Sequence, residues 1–171
     1  MKKYALSLCA LLVPCVVLAG GIEIKVNRKN LEAQRLKAPK FGENPTGSET
    51  VAYQVSVQNK EFKAMPPLKA RYIIFVERQQ IGQKVGTETV EQIKGEADVP
   101  EMGAMKGESF VTNGVKLLEE QLSGKYIAYT DGGRIKAKDR LVGIWVRFFD
   151  GETQVGEYVN PVNLKTRHTW E

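Results

Sequence analysis

Histidine and cysteine are almost missing from this chain. Its 171 residues include one histidine, His168, and two cysteines, Cys9 and Cys15. A serine or cysteine hydrolase needs a base, usually histidine, held beside its nucleophile. Here the sole histidine stands close to the C-terminus, and no G-x-S-x-G motif occurs. Zinc sites draw on Cys and His, and one histidine cannot build one. There is no P-loop and no G-x-G-x-x-G; Gly82, Gly86 and the pair Gly132-Gly133 have the wrong spacing. Neither a catalytic residue nor a metal or cofactor site is therefore expected.

A long apolar run is missing too. Leu6 to Leu18 is apolar but holds Pro14 and spans about a dozen residues, whereas a membrane-spanning helix needs roughly 20. Lys2 and Lys3 precede the run, and Val17-Leu18-Ala19 follows it with small or moderate residues at a cleavage point. That is the pattern of a secretory signal peptide, with cleavage expected after Ala19. Both cysteines lie inside it, so the exported chain is expected to have no disulfide and no transmembrane span. Cys15 follows Pro14 and Cys9 follows Leu8, neither of which suits a lipoprotein site. The location implied is the periplasm, the outer membrane or the cell surface. Of the formal charge of +5, two units belong to Lys2 and Lys3. The mildly basic remainder does not call for a nucleic-acid partner.

What the chain does have is strand pattern. In Leu141–Val159, LVGIWVRFFDGETQVGEYV, two strand-like runs flank Asp150-Gly151, a hairpin signal because Gly tolerates positive φ. Val142, Ile144, Val146 and Phe148 fall on one face at period two, with Leu141, Trp145 and Phe149 on the other. A strand apolar on one face and half apolar on the other belongs near the middle of a sheet. Val51, Tyr53, Val55 and Val57 alternate with polar residues, and Leu68–Glu77 is apolar on nearly both faces. Lys84–Ile93 reads as an edge strand, Lys94–Glu108 as an irregular loop, and Ser109–Leu118 as a strand with a bulge at Asn113-Gly114. Asp131-Gly132-Gly133 is a second hairpin signal. These signals predict an all-β antiparallel sandwich of immunoglobulin-like type, with about seven strands and no disulfide. A five-stranded Greek-key barrel is the alternative. The expected divisions are 1–19 leader, 20–49 a short first strand and basic arm, 50–160 sandwich, and 161–171 tail.

The candidate contact residues follow from charge and aromatics. Arg28, Lys29, Arg35, Lys37 and Lys40 crowd a segment whose one acid is Glu32, and one or two helical turns are conceivable over Leu31–Lys37. Such an arm either touches an anionic partner or is simply solvated. Trp145 is expected in the core, whereas an exposed Tyr126 or Trp170 would offer a sugar-stacking platform. Asp131, Asp139 and Asp150 lie in turns, but no spaced calcium motif joins them.

Four segments together, YQVSVQN (Tyr53–Asn59), LKARYIIFVER (Leu68–Arg78), FVTNGVKL (Phe110–Leu117) and RLVGIWVRFFDG (Arg140–Gly151), carry a resemblance. The chain resembles small secreted immunoglobulin-like proteins of Verrucomicrobia, encoded beside type IV pilus genes in Akkermansia. The resemblance implies an envelope protein linked to pilus assembly or structure, with envelope or pilus proteins as partners and no catalytic residues. A type IV pilin keeps its apolar helix after processing; here Gly20-Gly21-Ile22 follows the cleavage point. An accessory role fits better than that of a major subunit. A carbohydrate-binding sandwich is the other reading.

Overall fold

The computed structural model describes residues 21–34, 45–122 and 135–170. They form two antiparallel sheets and one short helix. The strands are β1 (Ile22–Gln34), β2 (Thr46–Asn59), β3 (Leu68–Arg78), β4 (Thr89–Val99), β5 (Gly107–Val111), β6 (Val115–Gln121), β7 (Lys136–Lys138), β8 (Arg140–Asp150) and β9 (Thr153–Asn160). Helix α1 (Leu164–Arg167) follows. The five-stranded sheet runs β1-β2-β6-β7, with β5 in line with β6 on the same flank of β2; the four-stranded sheet runs β4-β3-β8-β9. Nine strands among the described residues exceed the seven expected, chiefly because β2 pairs with two separate strands. The break between those two is residues 112–114, where a single bulged strand is expected from sequence. There Thr112 bonds Tyr53 twice at 2.9 Å, through its own N–H and through its Oγ1, so the flank of β2 stays satisfied across the gap.

The core lies between the sheets. Val51, Val55 and Val57 of β2 face Ala70, Ile74 and Val76 of β3 and Ile144, Val146 and Phe148 of β8. The hairpin expected at Asp150-Gly151 forms, with Asp150 opposite Thr153 and Gly151 at φ 57°. One parity expectation fails. Phe75 pairs with Gly143 but Val76 with Leu141, so Val142 is an extra residue on β8. A bulge reverses the alternation beyond it. Leu141 therefore packs on the inter-sheet core, and Val142 turns to the opposite face.

Two further expectations are corrected. β4 begins only at Thr89 and continues to Val99, through residues read as loop. Gly95, which suggests a loop, lies beneath the ring of Tyr72 on β3, its cross-strand partner, where no Cβ fits. The described part of the basic arm is not a linker: β1 continues to Gln34, in register with β2 except for an irregularity between Asn30 and Glu32. Asn27–Gln34 is polar because it is exposed, and pairing with β2, not apolar alternation, makes it a strand.

Nor is the tail an appendage. The outer face of the four-stranded sheet carries Ile73, Phe75, Trp145 and Val159, and Leu164 of α1 is buried against them. Trp145 is thus buried as expected, but under the tail and not between the sheets. Gly143 makes the crossing possible, because a Cβ there would run into the Asn160 carbonyl, Pro161 and Leu164. Gly143→Ala is expected to cost roughly 1–3 kcal/mol by overpacking and to free the tail. Thermal denaturation and limited proteolysis of the C-terminus would check both; an unchanged melting temperature with a protected tail would refute the assignment.

Candidate functional site

The residues singled out by charge and aromaticity divide between the two ends of the chain. Arg28 and Lys29 sit on β1 opposite Tyr53 and Ala52 of β2. Arg35, Lys37, Lys40 and Tyr126 lie outside the described residues, as do Asp131 and the second hairpin signal. Trp170 lies with the docked tail.

Arg28 lines a hollow whose opposite wall is Glu77 of β3 and Arg140, Leu141 and Val142 of β8. The β1 residues Asn27–Gln34 are exposed throughout. A second hollow, of about 420 Å³, opens beside the end of β1, lined by Ala33, Gly47, Glu49, Leu117, Glu119 and Lys138 among others. Its ions are already matched. Arg28 donates to Glu49 at 2.8 Å, and Glu119 receives Lys136 at 2.7 Å and Lys138 at 3.1 Å. The hydrogen bond from Lys136, aided by Lys138 and opposed by partial burial, holds the Glu119 carboxyl below its ordinary pKa. Asp139, considered above as a calcium ligand, is buried and accepts from Arg78 Nη1 (2.7 Å), Gln79 N–H (3.2 Å) and Leu118 N–H (3.1 Å). Its oxygens join the end of β3 to β6. Among the described residues no cluster of three His, Cys, Asp or Glu could hold a metal ion.

What β1 leaves open is backbone. Among the described residues β1 is hydrogen-bonded on one side only, to β2. The Gly21 carbonyl accepts the Lys60 N–H at 2.7 Å, which sets the phase of the ladder. Alternation along an antiparallel pair then directs the N–H and C=O of Ile24, Val26 and Arg28 away from β2, toward the free edge. β4 is the outer strand of the other sheet. Two of its acids, Glu91 and Glu96, are paired back to Arg78, Lys69 and Arg71 of β3.

Trp170 meets the ring of Trp145 edge-on, at 5.2 Å between centroids. The Arg147 guanidinium lies over both indoles, 4.9 Å from Trp145 and 4.4 Å from Trp170. One face of the candidate sugar platform is therefore occupied by an arginine of its own chain. Glu157 fastens the group: one oxygen accepts from Trp145 Nε1 (2.8 Å) and Arg147 Nε (2.9 Å), and the other takes Lys165 of α1. His168 rests on Phe75, with ring centroids 4.7 Å apart. No sequence motif marks Glu157; its role arises only when β8, β9 and α1 converge.

Burial pushes the Glu157 carboxyl up, but hydrogen bonds from Lys165, Trp145 and Arg147 outweigh it and hold the pKa below its ordinary value. A carboxylate whose folded pKa is depressed contributes stability above its unfolded pKa of about 4.3, and loses it as pH falls through the folded value. Acidification through that window should release the tail, read as a change in tryptophan fluorescence. Glu157→Gln should largely remove this pH dependence. An identical acid transition in that variant would refute the role of the carboxylate.

Among the described residues no helix is long and apolar enough to cross a membrane. No protein-family model and no curated protein matches the chain. Two solved structures are similar in shape. One is an X-ray structure of a Northeast Structural Genomics Consortium target, with a TM-score of 0.35 and 11% identity over 88% of this chain and 96% of that one. The other is a crystal structure from Akkermansia muciniphila, with a TM-score of 0.33 and 11% identity over 88% of this chain and 78% of that one.

Proposed function

We infer that this chain is an exported, non-enzymatic envelope protein of immunoglobulin-like type. It acts as an accessory or structural component of a surface assembly such as a type IV pilus. The contact is the outer edge of β1, which takes an extended partner segment as an added strand. The observation that carries this reading is the β1 edge itself: thirteen residues, bonded on one side among the described residues, with Asn27–Gln34 exposed throughout. An exposed edge gives main-chain hydrogen bonds to a partner strand, and flanking side chains give selectivity. Arg28 and Lys29 are those side chains, and Lys29 shares the exposed outer face with Lys25. The leader-like start and the resemblance to pilus-linked secreted proteins support an envelope partner.

Two substitutions at one position separate backbone from side chain. Arg28→Ala and Arg28→Pro both remove the ion pair with Glu49, but only proline removes the outward N–H. Proline is tolerated where the N–H faces solvent. Wild type and Arg28→Ala are expected to capture pilus components from envelope extracts, and Arg28→Pro to capture them about tenfold less, the equivalent of one or two hydrogen bonds. Equal capture by the two variants would rule out strand addition at β1. Retention on glycan resin, with no pilus component captured, would favour the sugar-binding reading instead.

A further inference from the structure

Two loops meet at the end of the sandwich where β1 begins, residues 60–67 between β2 and β3 and residues 100–106 between β4 and β5. Asn59, fully buried, ties them together. Its side-chain amide donates to the carbonyls of Lys63 (2.8 Å) and Gly103 (3.1 Å), and its Oδ1 accepts the Glu61 N–H (2.9 Å). Its backbone N–H donates to the Lys106 carbonyl at 2.8 Å. Met65 and Met102 exchange both backbone hydrogen bonds, at 2.8 and 3.0 Å. A buried amide with this many partners fixes the backbone around it.

The rigid frame displays apolar side chains. Phe62 is 91% exposed, the most of any large apolar residue described, and Met105 is 46% exposed. Met105 holds φ 57°, a left-handed conformation that residues with a Cβ seldom adopt, and its N–H bonds the Glu61 carbonyl beside Phe62. Lys60, Lys63 and Lys106 belong to the same two loops, with Lys63 reaching Glu61 at 3.2 Å and Lys60 paired with Glu23. Lys60 also donates its N–H to Gly21, so the chain enters the domain at this end, straight after the sequence containing the apolar run Leu6–Leu18.

We propose that this end rests on a lipid surface, with Phe62 and Met105 entering the headgroup–acyl boundary and Lys60, Lys63 and Lys106 meeting lipid phosphates. The proposal rests on the export reading above, and on none of its claims about a pilus partner. Exposed apolar side chains in loops that also carry lysines suit a deformable lipid interface. A frame already ordered by Asn59 loses little conformational freedom on docking.

The chain produced with its own leader and purified after export should co-sediment with vesicles of phosphatidylethanolamine and phosphatidylglycerol. Phe62→Ser should weaken that partition about tenfold, as expected for removing an inserted aromatic side chain, with an unchanged melting curve. Phe62→Trp should shift its emission to the blue on vesicle addition, beyond any change from Trp145 and Trp170 in the wild type. Absence of sedimentation, or equal partition of wild type and Phe62→Ser, would overturn the proposal. So would cross-linking of position 62 to a protein in a chain that binds no vesicles. Vesicle binding without pilus capture sinks only the assembly reading; pilus capture without vesicle binding sinks only this one.

Discussion

The four-stranded sheet has two apolar faces, and both must be covered. Its inner face meets the other sheet, which buries Ile74, Ile144 and Phe148 completely. Its outer face, with Ile73, Phe75 and Trp145, is covered among the described residues by the chain's last residues. Apolar area left in water at that position would lose roughly 25 cal/mol per Å². This requirement explains Gly143, whose missing side chain lets the tail cross, and Glu157, which gathers Trp145, Arg147 and Lys165 on one carboxylate. It also explains why Trp170 stacks on its own protein.

Polar side chains then set the geometry of the two ends. At one end the buried Asp139 accepts from Arg78, Gln79 and Leu118, joining β3 in one sheet to β6 in the other. At the other end Asn59 joins two loops that each cross between sheets. A buried charge or amide is costly unless every bond is made. When the bonds are made, competing arrangements of the same strands are disfavoured. Among the described residues, these two networks are the polar links that tie one sheet and its loops to the other.

The surfaces available for partners are what this architecture leaves over. Among the described residues β1 pairs on one side only, and its far half, Asn27–Gln34, is exposed. The candidate basic residues within that half, Arg28 and Lys29, were visible as a cluster in the sequence, but the backbone edge they flank was not. Charge composition describes side chains; a free edge is a property of which neighbour is missing. The two proposed contacts, an edge at one end of β1 and an apolar tip at the other, are separate surfaces with separate chemistry.

Local pattern alone determined the β class, the β8–β9 hairpin, the central place of β8 and the half-buried character of β2, because period-two alternation and glycine turns act over a few residues. It failed wherever a distant partner decides. Asn27–Gln34 has no apolar alternation and becomes a strand by pairing with β2; Gly95 sits in a strand because Tyr72 covers it; Val142 turns outward because β3 supplies one residue fewer. The tail docks, and Glu157 gains its three donors, only once β8, β9 and α1 converge. Burial of the second sheet face is a non-local free energy, and no window of sequence contains both the surface to be covered and the segment that covers it.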